Sequence, residues 1–244
     1  MDKIGIIGAM ESEVDELKKA MEVSEIVKKA GREFYVGSLN GADVVIVRSG
    51  IGKVNAALCV QILADLFQVT HLINTGIAGS LNADLDIGDI LISRDAIHHD
   101  VDATVFGYPP GEVPGLKVRE FQADKALALL AEKTCRKILP DLNVKTGRVL
   151  SGDQFISESQ VKQRLIDLYH GDCAEMEGAS IAHGAYLNQI PFVILRAISD
   201  KADHSAHMDY PEFERAAAKH SAQLLKAMLL EIGKTGQVGM AVQE

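Results

Sequence analysis

The chain has 244 residues, a formal net charge of -9, few aromatic residues and no tryptophan. That length suits one large domain with a deep core. The acidic balance argues against a nucleic-acid partner, which would need a basic face. Three cysteines, Cys59, Cys135 and Cys173, form no CxxC pair or His/Cys cluster, so neither a disulfide framework nor a zinc site is expected. No segment approaches the ~20 apolar residues of a membrane helix. The opening MDKIGIIGAM lacks the layout of a signal peptide. The expected setting is a reducing cytoplasm.

Strand and helix patterns then alternate along the chain. KIGIIGA reads as a strand, and ESEVDELKKAM as an amphipathic helix with acidic residues in its first turn, where the helix dipole favours them. REFYVGSLNGADVVIVRSG predicts a hairpin, Phe34 to Leu39 and Asp43 to Arg48, turning at Asn40-Gly41. KVNAALCVQILADLF is a helix, with Cys59 a small core residue. HLINTGIAGS is a strand opening into a glycine-rich turn, and IGDILISRDAIHHD is a further strand. ADKALALLAEKTCRKIL is a helix that takes in Cys135, and VKTGRVLSGDQFI is a strand and loop. SESQVKQRLIDLY is a helix with Ser157 as its expected N-cap. CAEMEGASIAHGAYLNQ leads into a helix and PFVILRAISD is a strand. The last helix is expected to start near Pro211. The fold class is therefore α/β, a single domain over residues 1–233 with a mixed central sheet flanked by helices on both faces. Residues 234–244 are expected to form a loose tail.

In such sheets ligands sit at the carboxyl ends of strands, so polar residues ending apolar strands carry the search. IGIIGAMESE is not a dinucleotide fingerprint, because its glycines are spaced GxxG and acids open its helix. Glu13 instead stands a few residues past a strand end. In NTGIAGS, the small residues let the backbone approach something closely, but the Lys and Ser/Thr of a phosphate loop are absent. In CAEMEGASIAHG, Glu175 and Glu177 flank Met176 near a helix start, and a Glu among apolar neighbours can accept hydrogen bonds from a sugar diol. In VILRAISDKAD a buried strand runs into Arg196, Ser199, Asp200 and Asp203. Asp200 reads either as a cap or partner of Arg196, or as a general acid whose proton is held by burial and oriented by Ser199. The histidines, including His98, His99, His204 and His207, match no metal motif and are read as loop or interface residues.

Together KIGIIGAMESEV, SGIGKVNAA, NTGIAGSL, HHDVDATVFGYPPGEVPG, SGDQFI, EMEGASIAH and RAISDKAD resemble, in order, the blocks of the 5'-methylthioadenosine/S-adenosylhomocysteine nucleosidase family of the nucleoside phosphorylase superfamily. The resemblance runs over nearly the whole chain. It implies a nucleoside phosphorylase-like fold and hydrolysis of the N-glycosidic bond of 5'-thio-substituted adenosines. It also implies no metal or organic cofactor, and a homodimer. By the same resemblance Asp200 is the acid that protonates adenine N7, Ser199 orients it, and Glu13 activates the attacking water. Glu177 binds the ribose hydroxyls with Met176 under the sugar, and Glu175 lies in the same block. Phe155 stacks on adenine and the Ile156 backbone reads its edge, while Ala78 and Gly79 line the pocket. Met10, Ile51 and Tyr210 form the apolar 5'-alkylthio pocket, and Phe106 and Pro114 reach it from the neighbouring subunit. Tyr210 departs from the family's common Phe, Ser12 from a Glu, and Ala103 from a larger apolar residue.

The nearest rival is a phosphorylase of the same superfamily, which would need cations for phosphate. That class places an Arg just before the glycine-rich turn. Here Asn74 stands there, and Arg48 is the one cation in its favour. A nucleosidase for another 5' substituent is a second rival, and a non-catalytic nucleoside-binding protein a third.

Overall fold

Apolar, β-branched runs become the strands of one mixed sheet, and the amphipathic segments between them cover it. The structure, a computed structural model, describes residues 1–242, and only the backbone at residues 207–209, 211 and 212. The strands are β1 (Lys3–Gly8), β2 (Glu22–Lys29), β3 (Arg32–Leu39), β4 (Ala42–Arg48), β5 (His71–Ser80), β6 (Ile90–His98), β7 (Phe121–Gln122), β8 (Val144–Ser151), β9 (Cys173–Glu175) and β10 (Phe192–Asp200). The helices are α1 (Glu11–Ala20), α2 (Lys53–Asp65), α3 (Lys125–Ile138), α4 (Ser159–Tyr169), α5 (Gly178–Leu187), α6 (Ala206–Thr235) and α7 (Val238–Ala241), with a 3-10 turn at Thr104–Phe106.

The sheet runs β10-β6-β8-β9-β5-β1-β4-β3-β2, with β7 on β6, and a further β10–β5 pairing closes its first part into a ring. β1 and β10 flank β5 and run parallel to it, so their carboxyl ends open on one side. The expected hairpin is present: β3 and β4 pair antiparallel around Asn40 and Gly41, both at positive φ. Successive side chains of a strand face opposite ways, and two cores result. Ile4, Ile6, Val44 and Ile46 pack with α1, α3 and α6. Ile7, Val45 and Val47 pack with α2 and α5 on the other face. Helices on both faces of a mixed sheet are what the alternating pattern predicts.

Certain local expectations need correction. β2 is a strand the pattern does not announce, because its exposed, charged EVSEIVKK shows no buried face. The N-cap position of α4 is Glu158 rather than Ser157. α6 begins at Ala206 rather than near Pro211. The described part of the segment beyond Gly233, residues 234–242, is docked rather than loose. α6 continues to Thr235, Val238 and Ala241 are buried in the first core, and the Val238 N–H donates to Asp2 Oδ2 at 2.8 Å. His98 and His99 are buried rather than in an open loop, because β6 extends through His98 and Phe121 and His183 pack around it. His204 is exposed, and the His207 side chain lies outside the described residues.

Candidate active site

The open carboxyl ends of β1, β5 and β10, with the β9–α5 junction, surround a cavity of about 500 Å³. Its wall carries the candidate residues Met10, Glu13, Ile51, Ala78, Gly79 and Phe155, together with Glu175, Met176, Glu177, Ser199, Asp200 and Tyr210. Three candidates stand outside it. Ile156 is buried behind the wall against Leu165, Tyr169 and Ala202. Phe106 and Pro114 lie on the segment after β6 and do not reach this chain's own cavity.

Glu13 sits in the first turn of α1, directly after β1. Its Oε2 accepts from the N–H of Ala9 (2.6 Å) and of Met10 (2.9 Å), and its Oε1 from the N–H of Ile77 (3.2 Å). Burial pushes its carboxyl above the usual range, and Arg196 and these N–H donors offset only part of that rise. A carboxylate so placed is oriented by its donors and shielded from bulk solvent.

Asp200 ends β10, where a bulge between Ile198 and Asp200 shifts its register against β5. Ser199 Oγ donates to its Oδ2 at 2.8 Å, and the Ala202 N–H to its Oδ1 at 2.8 Å. The glycines expected to open a turn lie instead within β5, and their small size has a physical reason. A Cβ on Gly79 would lie 2.7 Å from Asp200 Oδ1, and one on Gly76 would lie 2.6 Å from Glu13 Oε1. The two carboxylates are what the β5 backbone has to approach.

Arg196, which the sequence offers as a partner for Asp200, engages Glu175 and Asn74. It is buried in β10, and its Nη2 donates to Glu175 Oε2 and to Asn74 Oδ1, the latter at 2.6 Å. Glu175 also accepts from Ser151 Oγ and from the N–H groups of Glu177 (3.1 Å) and Gly178 (2.8 Å). Burial acts to raise Glu175, but Arg196, Ser151 and Gly178 outweigh it and hold the carboxyl below its ordinary value. Glu177 is the opposite case: burial, then the charge of Glu175, push it up to about 8. It accepts from the Gly52 N–H at 2.7 Å. That shift favours the protonated form, in which the carboxyl offers a donor as well as acceptors. An Arg inside an apolar strand is the available signal for this ion pair. Its partner lies 21 residues away in sequence and has no local signature.

Phe155 and Tyr210 meet edge to face, their centroids 5.6 Å apart, at the apolar side of the cavity. The Tyr210 hydroxyl donates to Met10 Sδ at 3.1 Å, which turns its polar atom onto the thioether. Arg48, half exposed, pairs instead with Glu11 (3.5 Å) and lines a separate polar cleft. Among the described residues, no Lys, Arg or His lines the main cavity.

Residues 3–230 match the model of the phosphorylase superfamily. A 5'-methylthioadenosine/S-adenosylhomocysteine nucleosidase of Geobacillus sp. (strain WCH70) is 42% identical over 233 residues, covering 95% of this chain and 100% of that protein. The chain belongs to the 5'-methylthioadenosine/S-adenosylhomocysteine nucleosidase family. Within that family, the Colwellia psychrerythraea 34H enzyme in complex with adenine has TM-score 0.90 and 39% identity, with 93% of this chain and 94% of that one covered. A futalosine hydrolase of Helicobacter pylori strain 26695 has TM-score 0.88 and 33% identity, with 93% and 97% covered. The fold is thus common to relatives named for two different substrates.

Proposed function

We propose that this chain hydrolyses the N-glycosidic bond of 5'-methylthioadenosine and S-adenosylhomocysteine, giving adenine and methylthioribose or S-ribosylhomocysteine. The observation that carries the reading is the composition of the cavity. Glu13, Glu177 and Asp200 face one space beside Phe155, with no basic side chain among the described wall residues. Carboxylates suit a transition state in which the sugar becomes an oxocarbenium ion. Phosphate would meet carboxylates and no cation, which disfavours a phosphorylase.

In this mechanism adenine stacks on Phe155, and the backbone of Ile156, whose side chain is buried behind the wall, reads its edge. Asp200, oriented by Ser199, gives its proton to N7 as the C1'–N9 bond breaks, so adenine leaves neutral. Glu13 takes a proton from the water that forms the new C1'–O bond. Glu177 holds the ribose hydroxyls over Met176. Glu175, engaged by protein donors, serves from the wall by fixing the start of α5 and so Glu177. Ala78 and Gly79 give a close-fitting floor, and Met10, Ile51 and Tyr210 receive the 5'-thio substituent.

The test is adenine release by the purified protein from methylthioadenosine, S-adenosylhomocysteine and adenosine. The first two are expected to be cleaved, with kcat/KM for adenosine lower by about tenfold or more, the cost of leaving an apolar wall uncovered. Equal cleavage of adenosine would remove the assigned role of that wall, and no adenine from any substrate would sink the hydrolase reading.

The proposal extends to a homodimer in which Phe106 and Pro114 complete the neighbouring cavity. α2 and α5 pack together and expose Val54, Leu58 and Leu187, and Phe106 is 80% exposed. Exposed apolar residues on two helices that pack together support an interface there. Sedimentation is expected to give twice the monomer mass at micromolar concentration, and a monomer there would contradict the shared site. A reducing cytoplasm completes the reading, and the three cysteines are free.

A further inference from the structure

We propose that Lys162, on α4 and outside the cavity wall, is a positioning residue for the acid Asp200. The inference rests on the reading of Asp200 as that acid. Asp200 receives one of its hydrogen bonds from the Ala202 N–H, at 2.8 Å. Ala202 can aim that N–H only because its backbone lies at φ +51°, the left-handed region that an alanine rarely adopts. A residue in that conformation persists when its surroundings over-determine it. Here the surroundings are identifiable. Ala202 is fully buried, its methyl group packed close to Gly79. On its N-terminal side, the Lys201 ammonium donates to the Leu85 carbonyl (2.7 Å) and to Asp86 Oδ1 (2.6 Å). Lys162 grips both sides at once. Its Nζ donates to the Lys201 carbonyl and stands 3.6 Å from Asp203 Oδ2. Asp203 in turn accepts from the N–H and hydroxyl of Ser205 at 3.0 Å each, through its other oxygen.

The consequence is a strap. α4 is anchored by Leu165 and Tyr169 in the cluster that also contains Ala202, so Lys162 acts from a fixed base. Releasing it removes the hydrogen bond on the Lys201 carbonyl and the ion pair at Asp203 together. Ala202 can then relax to negative φ, which turns its N–H away from Asp200. The acid keeps Ser199 but loses one of the bonds that fix its rotamer. Small misplacements of a catalytic group have large effects on rate because the reacting atoms must be aligned.

The experiment measures adenine release from methylthioadenosine by wild type, Lys162→Met, Lys162→Arg and Asp200→Asn, with thermal melts of each. Lys162→Met is expected to lower kcat about tenfold with KM within about twofold, and Lys162→Arg to recover most of the loss. If Asp200→Asn is inactive while Lys162→Met keeps wild-type kcat, the positioning role is overturned and the acid stands. If Asp200→Asn itself stays active, the acid reading fails first. A fall in Lys162→Met that appears in KM rather than kcat, or that Arg does not rescue, also overturns the proposal, since it marks a general loss of structure. Should Lys162→Met not fold, Asp203→Asn keeps the turn to Ser205 but removes the ion pair. It is expected to lower kcat about threefold, and an unchanged kcat there counts against the strap.

Discussion

Asp200→Asn is expected to lower kcat for adenine release by about 10²–10⁴-fold while KM stays near its wild-type value. The substitution keeps the size of the side chain and leaves an oxygen that accepts from Ser199 Oγ or from the Ala202 N–H. What it removes is the transferable proton. Adenine as an anion is a poor leaving group, so under the proposed mechanism the barrier rises by the stabilisation that N7 protonation supplies. The proposed stacking of the base on Phe155 is left in place, which is why the effect is expected in kcat. Steady-state kinetics on a variant whose thermal melt matches wild type would check this. A kcat within tenfold of wild type would remove Asp200 as the acid.

Arg196→Met is expected to produce the largest loss of stability of any single substitution at the site, about 3–5 kcal/mol, the usual cost of leaving one member of a buried ion pair alone. Arg196 is 2% exposed and Glu175 7%, so solvent can replace neither partner. Glu175 would retain Ser151 and the N–H groups of Glu177 and Gly178, but not the charge that keeps it ionised. Folded domains hold roughly 5–15 kcal/mol in total, and for a chain of this size each kcal/mol moves Tm by about 2–4 °C. A drop of roughly 6–20 °C is therefore expected by calorimetry. The double variant Arg196→Met/Glu175→Gln should recover part of it, because an amide needs no counter-charge. A single-variant Tm within about 3 °C of wild type, which corresponds to only about 1 kcal/mol, would mean that the ion pair is not the support described.

How far the sequence can be read follows from the range of each interaction. The parallel strands β1, β5 and β10 are buried on both faces, so they appear as apolar runs, and the polar residues at their ends stand out against them. Glu13, Ser199 and Asp200 are legible in that way, and the structure brings them to one cavity. The glycines of NTGIAGS are legible as a place of close approach, though not what approaches. Pairings made at long range leave no local trace. The closure of β10 on β5, the Arg196–Glu175 pair and the Lys162 strap each join segments distant in sequence. β9, only Cys173–Glu175, is too short to show a period, and β2 has no buried face to impose one. The burial of Val238 and Ala241 comes from packing against α3 and α6, which composition alone does not reveal.

Whether water or phosphate takes the sugar is decided by product analysis. Proton and phosphorus NMR would follow methylthioadenosine turnover in phosphate-free buffer and again with phosphate added. Adenine and free methylthioribose are expected at the same rate in both, with no new phosphorus signal. Cleavage that requires phosphate and yields a sugar 1-phosphate would contradict hydrolysis, and would take from Glu13 the role of activating water.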